Sequence, residues 1–168
     1  MIQSPERSEK PAVGNKRGPE KRGKWGPVLV GTDGSEGAAR AVEAASALAA
    51  DLDAEVWVAN VMEQSSESEL GQIARADNAS MGDIAETMAR RILHEAAQRA
   101  EAVGAQKIHS ILRSGHCAEE LIAAAQEITA TAIFVGRRGA GGRLSQALIG
   151  SVSQKLAGIS PSMLVIVP

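Results

Sequence analysis

One feature constrains this chain more than any other. Short apolar runs that end in turns alternate with Ala-rich stretches that carry few helix breakers. Residues 28–30 are apolar and stop at Gly31-Thr32-Asp33-Gly34, which predicts a buried strand and a turn. Residues 35–50 predict a helix, with Val42, Ala45 and Leu48 near helical spacing. Residues 54–61 are β-branched and aromatic and predict a second strand. Residues 62–80 are polar and long for a connection, which fits either a lid or a partial helix.

The pattern then repeats. Residues 83–103 predict a helix with Ile84, Met88, Ile92 and Ala96 on one stripe and Gly104 as its stop. Residues 106–113 predict a strand and 117–128 a helix. Residues 130–136 are apolar throughout, as a central parallel strand covered on both faces would be. A helix over 151–157 and a strand over 163–167 close the chain. No internal repeat is evident. Strict β-α alternation means an α/β fold: a single open five-stranded parallel sheet with helices on both faces.

Composition narrows the function. Of 168 residues 44% are apolar, yet Trp25, Trp57 and Phe134 are the only aromatics, so the core must be aliphatic. So few aromatics argue against a stacking platform for single-stranded nucleic acid. Cys117 is the only cysteine, which fits a reducing compartment and excludes an intrachain disulfide. No apolar run approaches the ~18 residues of a membrane span, and no apolar segment follows the charged N-terminus as in a secretory signal. A cytoplasmic protein is expected. Residues 1–25 hold seven Lys/Arg against three Glu, while the remainder holds 11 Lys/Arg against 17 Asp/Glu. Residues 1–26 therefore read as a basic disordered tail and 27–168 as the folded domain. A weak contact of that tail with a polyanion is the one nucleic-acid role open.

Ligands of open parallel sheets gather at the carboxyl ends of strands, where the winding reverses. Two turns suit that place: residues 31–35, and Gly136-Arg137-Arg138-Gly139 after the fourth strand. If the first and fourth strands are neighbours, both turns face one crevice. Gly136, Gly139, Gly141 and Gly142 permit close backbone approach to an anion and positive φ. Gly150 precedes Ser151-Val152-Ser153-Gln154, a capping-box pattern with Ser151 as N-cap. That start would expose helix N–H groups and the Ser151 hydroxyl to a phosphate. Asp33 also fits a cap or an Asx turn, and Arg137 and Arg138 also fit solvated surface charge.

No Walker A sequence is present, and a dinucleotide fingerprint starting at Gly139 meets Leu144 where glycine is required. His94 falls in a helix, His109 in a strand, and the His116-Cys117 pair is too small for a structural zinc site. That pair reads as a loop-to-helix junction; Glu63, after the second strand, could reach the crevice but reads as a solvated turn residue. No base accompanies Arg137 and Arg138, so no catalytic residues are assigned.

"VLVGTDGSEGAARAVEAASALA" and "VGRRG…IGSVSQ…MLVIVP" resemble the opening and closing motifs of the universal stress protein family. The resemblance covers residues 27–168 and implies an adenine nucleotide α-hydrolase-like fold. The family's nucleotide-binding branch carries G-x2-G-x9-G-[ST]. Gly136, Gly139, Gly150 and Ser151 match it, with a spacer from 140 to 149 one residue longer than usual. By position, Asp33 matches the acidic residue near the ribose or adenine, with Thr32 beside it. Val61 matches the residue whose backbone reads the adenine edge. Gly136, Gly139, Gly150, Ser151 and Val152 match phosphate contacts, flanked by Arg137 and Arg138. The resemblance implies ATP with Mg2+ or Mn2+, or cyclic AMP, held as a regulatory ligand. It also implies a homodimer through residues 163–167. The alternatives are a slow ATP hydrolase or phosphotransferase, and a dimeric interaction module that binds no nucleotide.

Overall fold

The computed structural model describes residues 25–63, 79–139 and 149–168. The basic tail up to residue 24, most of the polar stretch after the second strand, and Gly141 and Gly142 lie outside the described residues.

The described elements alternate strictly. They are β1 (Val28–Gly31), α1 (Glu36–Asp51), β2 (Val56–Glu63), α2 (Ala79–Ala102), β3 (Ile108–Gly115), α3 (Cys117–Glu127), β4 (Ala132–Gly136), α4 (Ser151–Ile159) and β5 (Met163–Val167). All five strands are parallel, in the order β3-β2-β1-β4-β5. The direction of winding reverses between β1 and β4, which pair directly. The two glycine turns therefore do emerge side by side.

Alternate strand residues feed two cores. Val28, Val30, Val56, Val58 and Phe134 face α1 and α2, where Ala41, Val42, Ala45, Leu93 and Ala96 meet them. Leu29, Ala59, Ile133 and Val135 face α3 and α4, against Leu121, Ala124, Ala125 and Leu156. Alanine dominates the helix faces, so the helices settle close to the sheet without large aromatic fillers.

The buried stripe of α2 is not the expected one. Ile84 and Met88 are 56% and 62% exposed, while Ala89, Leu93, Ala96 and Ala100 face the core. The reason is geometric. Each i+4 step turns about 40° further around an α-helix, so the row 84-88-92-96 drifts off any one face. Spacings of four and three, as in 89-93-96-100, stay on it. The helix stop is as expected: Gly104 has φ +98°. Its N–H donates to the Glu101 carbonyl at 2.9 Å, and that of Ala105 to Ala100 at 3.1 Å. These two bonds are the Schellman pattern.

Candidate functional site

Four local devices shape the strand ends. The first is the turn after β1. Ser35 caps α1, its Oγ accepting from the Ala38 N–H at 3.2 Å. Asp33 Oδ1 accepts from the Ser35 N–H at 3.0 Å, an Asx turn, and Gly34 takes φ +78°. Buried Asn60 pins the turn from β2, donating through Nδ2 to the Thr32 carbonyl at 2.7 Å.

The second device is an overhang. Pairing of β1 with β2 ends at Gly31 opposite Ala59, closed by the Thr32 N–H donating to the Ala59 carbonyl at 2.8 Å. Pairing of β2 with β3 continues to Glu63 opposite Gly115. Backbone groups alternate sides along a strand. Ala59 turns its carbonyl toward β1, so Val61 turns its N–H and C=O the same way, beyond the end of β1.

The third is a glycine contact. A Cβ on Gly136 would lie 2.6 Å from the Gly37 carbonyl carbon and 2.9 Å from the Ala38 nitrogen. The first turn of α1 thus rests on the end of β4. A Cβ on Gly139 would run into Asp33 Oδ2. Among the described glycines, only Gly34, Gly104 and Gly115 have positive φ. Gly136, Gly139 and Gly150 therefore serve close approach and not left-handed backbone, which corrects part of the sequence reading.

The fourth is the start of α4. Its N-cap is Gly150 and not Ser151, and no side chain caps it. The capping box fails because Ser151 already belongs to the helix, and the helix's first backbone bond runs from the Gln154 N–H to the Gly150 carbonyl at 2.9 Å. The N–H groups of Ser151, Val152 and Ser153 precede that bond and have no acceptor within the helix. Ser153 Oγ donates to the Gly136 carbonyl at 2.8 Å and fixes α4 onto β4.

These devices surround one open crevice of about 560 Å3, within the ~300–1,000 Å3 range of small-molecule sites. Thr32, Asp33, Val61, Gly136, Arg138, Gly139, Gly150, Ser151 and Val152 all line it. Arg137 does not. Its backbone bridges instead, with its N–H donating to the Val167 carbonyl at 2.6 Å and its carbonyl accepting from Gly150 at 2.8 Å. Its Nε is buried with no hydrogen-bond partner among the described residues.

Sequence reasoning did not assign three residues to the site. Gly37 packs under Gly136, and an isolated glycine within a helical pattern is the signal that marks such an approach. Glu63 is the last residue of β2 and lines the crevice. Cys117 opens α3 and lines it too, its thiol pushed up to about 11 by burial, then by Glu63, Asp33 and Glu119. The crevice is thus graded, with Glu63 at the β2 side, Asp33 in the middle, and Arg138 and the α4 N–H groups at the β4 side. Among the described residues no group of three His, Cys, Asp or Glu could hold a metal ion. None of the described helices is long and apolar enough to cross a membrane.

The sequence profile of the universal stress protein family matches residues 24–168. The chain belongs to the universal stress protein family. Universal stress protein YxiE of Bacillus subtilis (strain 168) is 31% identical over 145 residues, covering 83% of this chain and 97% of its own. A solved universal stress protein in complex with cAMP is also 31% identical. That match covers 86% of this chain and 98% of the other, at TM-score 0.65. UspA from Lactobacillus plantarum reaches TM-score 0.76 at 16% identity, with 86% and 99% covered, a likeness of fold alone. The fold is the adenine nucleotide α-hydrolase-like arrangement of universal stress proteins.

Proposed function

We propose that this universal stress protein binds ATP across its strand ends as a regulatory ligand. The observation that carries the reading is the grading of the crevice. At the β2 side, the Val61 backbone offers a donor and an acceptor beside Ala59, Leu121 and Val135, a surface for a flat base. Thr32 and Asp33 stand in the middle, where ribose hydroxyls need acceptors. At the β4 side, Arg138, Gly139, Gly150 and the N–H groups of Ser151 and Val152 suit phosphates, aided by the dipole of α4. A Mg2+ or Mn2+ ion would be carried mainly by the phosphates. The acidic residues that line the crevice are Asp33 and Glu63, and Ser151 supplies a hydroxyl for an ion.

The nucleotide acts by differential binding to two conformations or partner states. Turnover is not part of this reading. A second ligand deserves equal trial, because a relative of 31% identity was solved with cAMP. The protein is proposed to act in the cytoplasm, which agrees with its lone, unpaired thiol. It is proposed to pair with a second copy through β5, an apolar strand at the sheet edge.

Mass spectrometry of small molecules released from freshly purified protein tests the reading. ATP, or cyclic AMP in its place, is expected near one per chain. No bound nucleotide, with no heat on titrating either one, would exclude it.

A further inference from the structure

This inference rests on the nucleotide reading above and adds what sets the choice of base. A strand edge such as that of Val61 presents one N–H and one C=O. Adenine matches it with N1 and its 6-amino group. A 6-oxopurine matches it almost as well, with O6 and the N1 proton. The edge alone therefore discriminates poorly, and a further group must decide.

Glu63 stands two residues beyond Val61, on the same face of β2, opposite Gly115 in the register. It is exposed and lines the crevice. Among the described residues no hydrogen bond or ion pair engages its side chain. Asp33 differs, because its Oδ1 is already held by the Ser35 N–H. Cys117 lines the same crevice, within electrostatic reach of both Glu63 and Asp33.

We propose that Glu63 is a specificity-determining residue that selects 6-aminopurine over 6-oxopurine nucleotides. A carboxylate only accepts hydrogen bonds. The 6-amino group has two hydrogens: one serves the Val61 carbonyl and the other points toward Glu63. A 6-oxo group seated in the same place would set its lone pairs against the carboxylate, and the turned pose that satisfies Val61 through O6 and the N1 proton takes position 6 away from Glu63 and offers it no proton. Setting a carboxylate against lone pairs, or leaving it without a donor, penalises the wrong ligand.

Calorimetry with ATP and inosine triphosphate, each with Mg2+, tests this on the wild type, Glu63→Gln and Glu63→Ala. The two ligands differ only at position 6 and the N1 proton. The wild type should prefer ATP by about tenfold or more. Glu63→Gln, whose amide can donate to a 6-oxo group, should bring the ratio within about threefold. Glu63→Ala should narrow it by weakening ATP. A wild type that binds both equally overturns the proposal. So does an unchanged ratio in either variant that still binds ATP. If the folded wild type binds neither ligand, the nucleotide reading itself falls and this inference with it.

Discussion

Thr129 sits at φ +51°, in the region that β-branched residues avoid. It ends α3 with the same two bonds that Gly104 makes after α2: Thr129 N–H to Gln126 at 3.1 Å and Ala130 N–H to Ala125 at 2.8 Å. Asp53 does likewise after α1, at φ +50°. Only the glycine stop was legible in the sequence, because Asp carries a weak signal for this backbone state and Thr none. Thr129→Gly should stabilise the fold by about 0.5–1 kcal/mol, read by urea unfolding, since it removes the left-handed penalty. No gain would mean the bond from Thr129 Oγ1 to the Ile128 carbonyl offsets the strain. Cys117 gives a second residue-scale expectation. Its thiol is pushed up to about 11, so the proton is held through neutral and mildly alkaline pH. Alkylation by iodoacetamide should be slow at pH 8 and accelerate toward pH 11. Fast labelling at pH 8 would show a thiolate that burial and the neighbouring carboxylates should forbid.

At the scale of elements, the existence and order of strands and helices were legible because each has a distinct apolar period. Faces and ends were less so. In α2 the eye follows large apolar residues, yet the sheet accepts Ala89, Ala96 and Ala100, because short side chains let the helix come close. Leu93→Ala should therefore cost about 2–4 kcal/mol in denaturant unfolding, and Met88→Ala less than about 0.5. Equal losses would contradict the face assigned. At α4 the sequence offered Ser151 as the cap. The choice falls on Gly150 because Arg138 Cα and the Arg137 carbonyl lie 3.3 and 3.2 Å from where its Cβ would be. Close approach, invisible in a one-dimensional pattern, decides that boundary. It also explains why Arg137, adjacent to a crevice residue, contributes backbone and not its guanidinium.

For the whole molecule, β-α alternation and handedness left few topologies, and the observed one joins β1 to β4 as the crevice requires. The two sheet edges differ. β3 carries His109, Ser110, Arg113 and Ser114, whereas β5 reads MLVIV. Charged and polar side chains protect an edge and apolar ones invite pairing, so the proposed homodimer is assigned to β5. Val167 turns its carbonyl inward to Arg137, so Ile166 turns its N–H outward. Ile166→Pro removes that outward donor and should yield a folded monomer by sedimentation at micromolar concentration. A wild-type monomer, or a folded dimeric variant, would refute the interface. The candidate site was legible in its anchors, because glycine turns and a helix start mark the strand ends where the crevice forms. Its acidic β2 side was legible only as an option for Glu63, since the overhang of β2 decides that it reaches the crevice. The central claim is that phosphates lie on the first turn of α4. Ser151→Glu tests it most directly. A carboxylate suits an exposed first-turn position and should keep or slightly raise Tm. It also sets a negative charge where the phosphates would lie. Calorimetry should show ATP affinity reduced by about tenfold or more in a variant of undiminished stability. Unchanged affinity would place the phosphates elsewhere and contradict the account.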